Sequence, residues 1–107
     1  MKFVSSTKYI VNNLLYSKTS FSCTEFKGDS YSSLDEAVRV YINQLPNSSN
    51  DATAIHFGAL DVGSRYSIIV QKYHTDKYAS AILFGYALSK PKYYRKSNGN
   101  WADTIEL

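Results

Sequence analysis

Cysteine is nearly absent from this chain. Cys23 stands alone, so no disulfide can close within the chain, and a lone thiol fits a reducing compartment such as the cytoplasm. Its neighbours Phe21, Ser22 and Thr24 are strand-like, and no cation stands nearer than Lys27, the setting of a buried inert thiol rather than a nucleophile. Histidine is almost as scarce. His56 and His74 lie eighteen positions apart, and neither has Cys or carboxylate partners at ligand spacing, so no metal motif is present. Five glycines are too scattered for a phosphate-binding loop: "DVGSRYS" holds one, which reads as a turn, and no cofactor is implied. Long apolar runs are missing too. The opening "MKFVSSTKYIVNN" is interrupted by Ser5, Ser6, Thr7 and Lys8, so neither a signal peptide nor a membrane span is expected.

What the chain does have is tyrosine. Ten of its 107 residues are Tyr, a side chain with a large apolar body and a polar tip that suits half-buried strands and contact surfaces alike. This length fits one domain, 1–107, large enough to bury a core without covalent staples. The net charge of +3 is modest but unevenly spread. Residues 90–96 hold Lys90, Lys92, Arg95 and Lys96 with no acid, whereas residues 29–61 carry Asp29, Asp35, Glu36, Asp51 and Asp61 against Arg39 alone. An acidic middle and a basic C-terminal edge follow.

The clearest element is "SSLDEAVRVYINQLP". Leu34, Ala37, Val38, Tyr41, Ile42 and Leu45 recur at helical spacing and form one apolar stripe. Ser33 and Glu36 have capping-box spacing, and Pro46 stops the helix by forcing Leu45 out of the helical region, so a helix is predicted over about 33–45. The remainder reads as strands near 7–16, 20–26, 53–60, 65–73, 78–88, 92–97 and 100–105, rich in β-branched and aromatic residues. Asn98-Gly99 predicts a type I′ hairpin. "AILFGYAL" reads as a central strand covered on both faces or packed under the helix, with "RYSIIVQKY" as its neighbour. Gly58 and Gly85 mark bulges or close backbone approach, and "LPNSSNDAT" reads as a mobile polar loop. The predicted fold is α+β: a mostly antiparallel sheet with one amphipathic helix on one face and the other face open to water or a partner.

Three functional readings are compatible with these elements. The first is a non-enzymatic inhibitor or adaptor that binds a protein or nucleoprotein partner through the open sheet face and the C-terminal hairpin. Its candidate contact residues are Lys90, Lys92, Tyr93, Tyr94, Arg95, Lys96 and Trp101. The second is a nucleic-acid-binding module with the same cations on phosphates and Tyr93, Tyr94 or Trp101 on bases. The third is a small hydrolase or nuclease using His56 or His74. Against the first two stands the habit of natural sheets to place lysine on edge strands merely to prevent aggregation. Strand parity also places Tyr93 and Tyr94 on opposite faces, so one of them is expected in the core.

The plan of one capped helix, "SSLDEAVRVYINQL", set among strands that end in "NGNWADTIEL", resembles the small accessory proteins of bacteriophages and mobile elements, anti-CRISPR inhibitors among them. The likeness covers the latter three quarters of the chain as a layout and carries over no residue. It implies a protein that acts without catalysis, by covering a binding surface of a host complex. The mild basicity of the chain departs from the strongly acidic members of that group.

Overall fold

The computed structural model describes the backbone of residues 19–27 and both backbone and side chains of 31–50 and 52–107, and among these described residues are one sheet of seven strands and one helix. The elements run β1 (Thr19–Lys27), α1 (Leu34–Gln44), β2 (Thr53–Asp61), β3 (Arg65–Lys72), β4 (Ala79–Phe84), β5 (Lys92–Ser97), β6 (Asn100–Trp101) and β7 (Ile105–Glu106). Strand order is β1-β2-β3-β4-β5-β6, with β7 also on β5. β1 and β2 are parallel and all other pairs antiparallel, an α+β arrangement. A parallel pair needs a long crossover, and α1 lies within the connection from β1 to β2. The strand predicted over 7–16 lies outside the described residues.

The ends of α1 follow from its sequence. The Ser33 side chain accepts from the Glu36 amide at 3.2 Å, while Glu36 Oε2 accepts from the Ser32 amide at 3.1 Å and from the Ser32 hydroxyl. The reciprocal arm of the capping box thus reaches Ser32, one residue earlier than the spacing predicts, and these hydrogen bonds hold the Glu36 carboxyl below its ordinary range. Ser33→Ala strands a first-turn amide and is expected to cost about 1 kcal/mol in urea unfolding, with the slope of the transition unchanged. At the other end Leu45 is extended (ψ 143°) ahead of Pro46, as the ring requires.

Burial alternates along the strands. Leu60 of β2, Ile68 and Val70 of β3, Ala79, Ala81 and Leu83 of β4, and Tyr94 of β5 share one buried cluster with Val38, Tyr41, Ile42 and Leu45. Full burial of such side chains stabilises by roughly 1.5–3 kcal/mol each, which makes this cluster the main source of stability. "AILFGYAL" departs from the reading of a strand covered on both faces. β4 stops at Phe84, and the Leu88 amide bonds back to Gly85 O at 3.0 Å. Ile82 and Phe84 are each 41% exposed, so one side of this strand, not both, is core. Gly85 itself lies against β3, where an added Cβ would stand 3.0 Å from Arg65 O.

The C-terminal hairpin turns at Asn98 (φ 55°) and Gly99 (φ 85°), the two positive values of a type I′ turn. The single strand predicted over 100–105 is two short ones. Between them the Ala102 amide bonds to Arg95 O, while Arg39 of α1 donates from Nη2 to Ala102 O and Thr104 Oγ1, both at 3.4 Å. The break interrupts what would otherwise be a continuous outer strand.

The connection after α1, read from sequence as mobile, is fastened at several points. The Ser48 amide donates to Tyr73 O at 3.0 Å, and the Ser48 hydroxyl to Ala52 O at 2.6 Å. A hydrogen bond with Asn47, and then the charge of Lys72, hold the Asp76 carboxyl below its ordinary range. His56, 3% exposed, has Nε2 3.0 Å from Pro46 O, and since a carbonyl only accepts, Nε2 carries the proton. Burial lowers the His56 pKa below 6.5, opposed by this hydrogen bond and reinforced by Lys72. A group with a depressed folded pKa contributes stability that is complete above its unfolded value and is lost as pH falls through the folded one. Urea midpoints are therefore expected to drop as pH falls below 6.5, and His56→Gln, which keeps a donor for Pro46 O, is expected to flatten that drop.

Candidate binding surface

The basic C-terminal run divides between the two sides of β5. Lys92, Tyr94 and Lys96 share one side. Tyr94 is buried, and its hydroxyl donates to Asp35 Oδ1 at 2.7 Å; burial first, and then this carboxylate, raise the phenol pKa. Lys92 Nζ lies 3.6 Å from the same Asp35 oxygen, and Lys96 Nζ donates to Asn43 Oδ1 at 3.0 Å. Lys96 Nζ and the Arg39 guanidinium also stand 5.6 and 5.8 Å from the centre of the Trp101 ring, within cation–π range. Four of the seven candidate residues, Lys92, Tyr94, Lys96 and Trp101, thus make contacts that join β5 and β6 to α1. Lys90 is exposed in the β4–β5 connection, apart from them.

Tyr93 and Arg95 lie on the other side of β5, where register builds a surface that strand-by-strand reading does not reveal. Phe57 pairs with Ile69, Ile69 with Ile82, Ile82 with Tyr93, and Tyr93 with Ile105. These five residues form a row across β2, β3, β4, β5 and β7. Phe57 and Ile69 are 40% exposed, and Ile82 and Ile105 are exposed as well. Beside the row, Ile55, Ile69, Ile82 and Tyr93 line a shallow apolar groove that shares Gln71, Ser80 and Tyr93 with a second cleft. That cleft is walled by Tyr73, Tyr78 and Tyr93 and flanked by Arg95. The Ser80 hydroxyl donates to Gln71 Oε1 at 3.4 Å on its floor.

The surface is apolar in the middle and aromatic, hydroxylic and cationic at one end, a composition shared with the energetic centres of protein interfaces. His56 is buried beneath Pro46, whereas His74, exposed in the β3–β4 turn, lines a hollow with Tyr73, Thr75 and Tyr78 and so borders the tyrosine cleft. No group of three or more His, Cys, Asp or Glu side chains able to hold a metal ion gathers among the described residues, and none of their helices is long and apolar enough to cross a membrane. Comparison with protein-family models, with curated proteins and with solved structures finds no match for this chain.

Proposed function

We propose that the protein is a small non-enzymatic binding protein, an inhibitor or adaptor of the cytoplasm, that covers a site on a protein or nucleoprotein partner. In this reading α1 closes one face of the sheet and the partner takes the other. The observation that carries it is the in-register row Phe57–Ile69–Ile82–Tyr93–Ile105 across five strands, exposed at every position but the half-buried Tyr93. Exposing apolar side chains in contiguous rows rather than singly marks interaction sites in soluble proteins. The likeness of layout to phage accessory inhibitors, which act by occlusion, points the same way. The nucleic-acid reading loses ground because Lys92 and Lys96, two of its four cations, are engaged with Asp35 and Asn43.

Ile69→Asp/Ile82→Lys is expected to abolish partner binding while leaving the far-ultraviolet circular dichroism and the melting cooperativity intact, because the two positions face one another across β3 and β4 and opposite charges there pair. A photo-crosslinking residue at position 82 checks the contact in cells: it should yield one discrete protein adduct that Ile69→Asp removes. The same probe at Val40 should not. Adducts that persist in the Ile69→Asp background would sink the reading, as would a steep salt-dependent affinity for mixed-sequence DNA or RNA.

A further inference from the structure

We infer that the partner docks a segment that pairs an apolar side chain with a nearby carboxylate: the apolar group in the Ile55–Ile69–Ile82–Tyr93 groove and the acid on Arg95 in the adjoining tyrosine cleft. The inference rests on the protein-binding reading and names the chemistry of the partner at that same surface.

Arg95 is the reason for the carboxylate. Its neighbours in sequence, Lys92 and Lys96, are neutralised or hydrogen-bonded on the core side by Asp35 and Asn43. Among the described residues no carboxylate pairs with Arg95, which is exposed at the rim of the cleft. No acid lines the cleft, and Arg95 is the cation free to face it, since Lys96, which also lines it, gives its ammonium to Asn43 on the other side of β5. A guanidinium presents a planar fork that matches a carboxylate, and its bonds to such a group are stronger than neutral ones. The tyrosines exclude water around that fork and offer hydroxyls to a peptide backbone.

The apolar requirement comes from the groove next to it. Gln71, Ser80 and Tyr93 line both hollows, so the two adjoin across β3, β4 and β5. An aliphatic or aromatic side chain in the groove and an acid on Arg95 would therefore belong to one short segment. A nucleic acid strand fits this surface less well. It brings a phosphate with every nucleotide, and the cleft opposes that series with a single freely presented guanidinium.

The test is selection of a phage-displayed random peptide library on the folded, immobilised protein, followed by affinity measurement with synthetic copies of the enriched peptides. Enriched sequences are expected to hold Asp or Glu within a few positions of Leu, Ile, Phe or Trp. Arg95→Gln should weaken such a peptide by about tenfold or more, the loss of a central contact, whereas Lys90→Gln should leave it unchanged. Alanine in place of the peptide's acid should cost as much as Arg95→Gln and cost nothing further in that variant. Peptides that lack acids, or an Arg95→Gln affinity equal to the native one, overturn the inference. If Ile69→Asp/Ile82→Lys still abolishes binding in that case, the protein-binding reading stands and only the acidic partner falls. A twelve-nucleotide oligothymidylate that binds the same surface, with Arg95→Gln removing it, overturns both.

Discussion

Lys72→Ala is expected to lower the unfolding free energy by about 4 kcal/mol, more than most surface-to-alanine changes by an order of magnitude. Lys72 is only 2% exposed, and its ammonium donates to Ile42 O at 3.0 Å and to Leu45 O at 2.8 Å. These carbonyls end α1, whose last turn contains no basic residue of its own. A lysine from β3 therefore does what a helix normally obtains locally, satisfying orphan carbonyls and meeting the negative end of the dipole. Removing it leaves Leu45 O without its donor in a buried place and opens a void the length of the side chain. Lys72→Met separates the two effects. It refills the space without the donor, so its loss should fall to about 1–3 kcal/mol. Burial, opposed by Asp76 and reinforced by Lys96, holds the Lys72 pKa below 10.5. Between that lowered folded value and 10.5 the folded protein gives up its proton before the unfolded chain does. Stability from this group accordingly rises with pH across the window, and the margin of the native protein over Lys72→Met should widen there. Guanidinium melts at two alkaline pH values measure it, and a constant margin would show that the ammonium is not held in a dry site.

How far such features can be read in advance depends on whether they are local. The helix is legible because its stripe, its cap and Pro46 all lie within one short stretch. The Asn98-Gly99 turn is legible for the same reason: two positive-φ residues and the flanking strands specify one hairpin. β4 escapes a reading of this kind because an unbroken apolar run carries no parity. Its exposed half, Ile82 and Phe84, is distinguished from its buried half only by which residues of β3 and β5 stand beside it. The candidate surface has the same character. The sequence points to seven C-terminal residues as a unit, whereas strand parity sends Lys92, Tyr94 and Lys96 one way and Tyr93 and Arg95 the other. Ile69, Ile82 and Phe57 give no sign individually, since each sits in a strand where an apolar residue is ordinary. Only the register that aligns them makes a surface, and register is a long-range property. Lys72 is equally hidden, because nothing in "IIVQKYH" indicates a distant helix end.

Gly58→Val is expected to cost about 3 kcal/mol or more, for reasons of space rather than backbone freedom. Among the described residues the positive-φ glycines are Gly63 and Gly99, and Gly58 is not one of them. A Cβ built on Gly58 overlaps the Tyr41 hydroxyl, lies 2.7 Å from Tyr41 Cζ and 3.0 Å from Ile68 Cγ2. Tyr41 is 3% exposed in the core cluster and Ile68 is equally enclosed, so neither side chain can give way by turning into solvent. The glycine is thus the hollow into which the helix lowers its tyrosine, the close approach that an isolated glycine in a strand pattern implies. A double-mutant cycle with Tyr41→Leu tests this account, because leucine lacks the atoms that meet the added methyl. Gly58→Ala should be destabilising in the native background and close to neutral in the Tyr41→Leu background, a coupling of about 0.5–3 kcal/mol, the range found for residues in contact. Additive losses in urea melts would place the Tyr41 ring elsewhere. The consequence for binding is specific. Gly58 lies in β2 next to Phe57, the first residue of the apolar row, and pairs with Ile68 beside Ile69. A ring pushed off Gly58 would disturb β2 and β3 together, so Gly58→Ala should weaken the partner in proportion to lost stability. Ile69→Asp/Ile82→Lys, by contrast, should remove binding from a protein that melts normally.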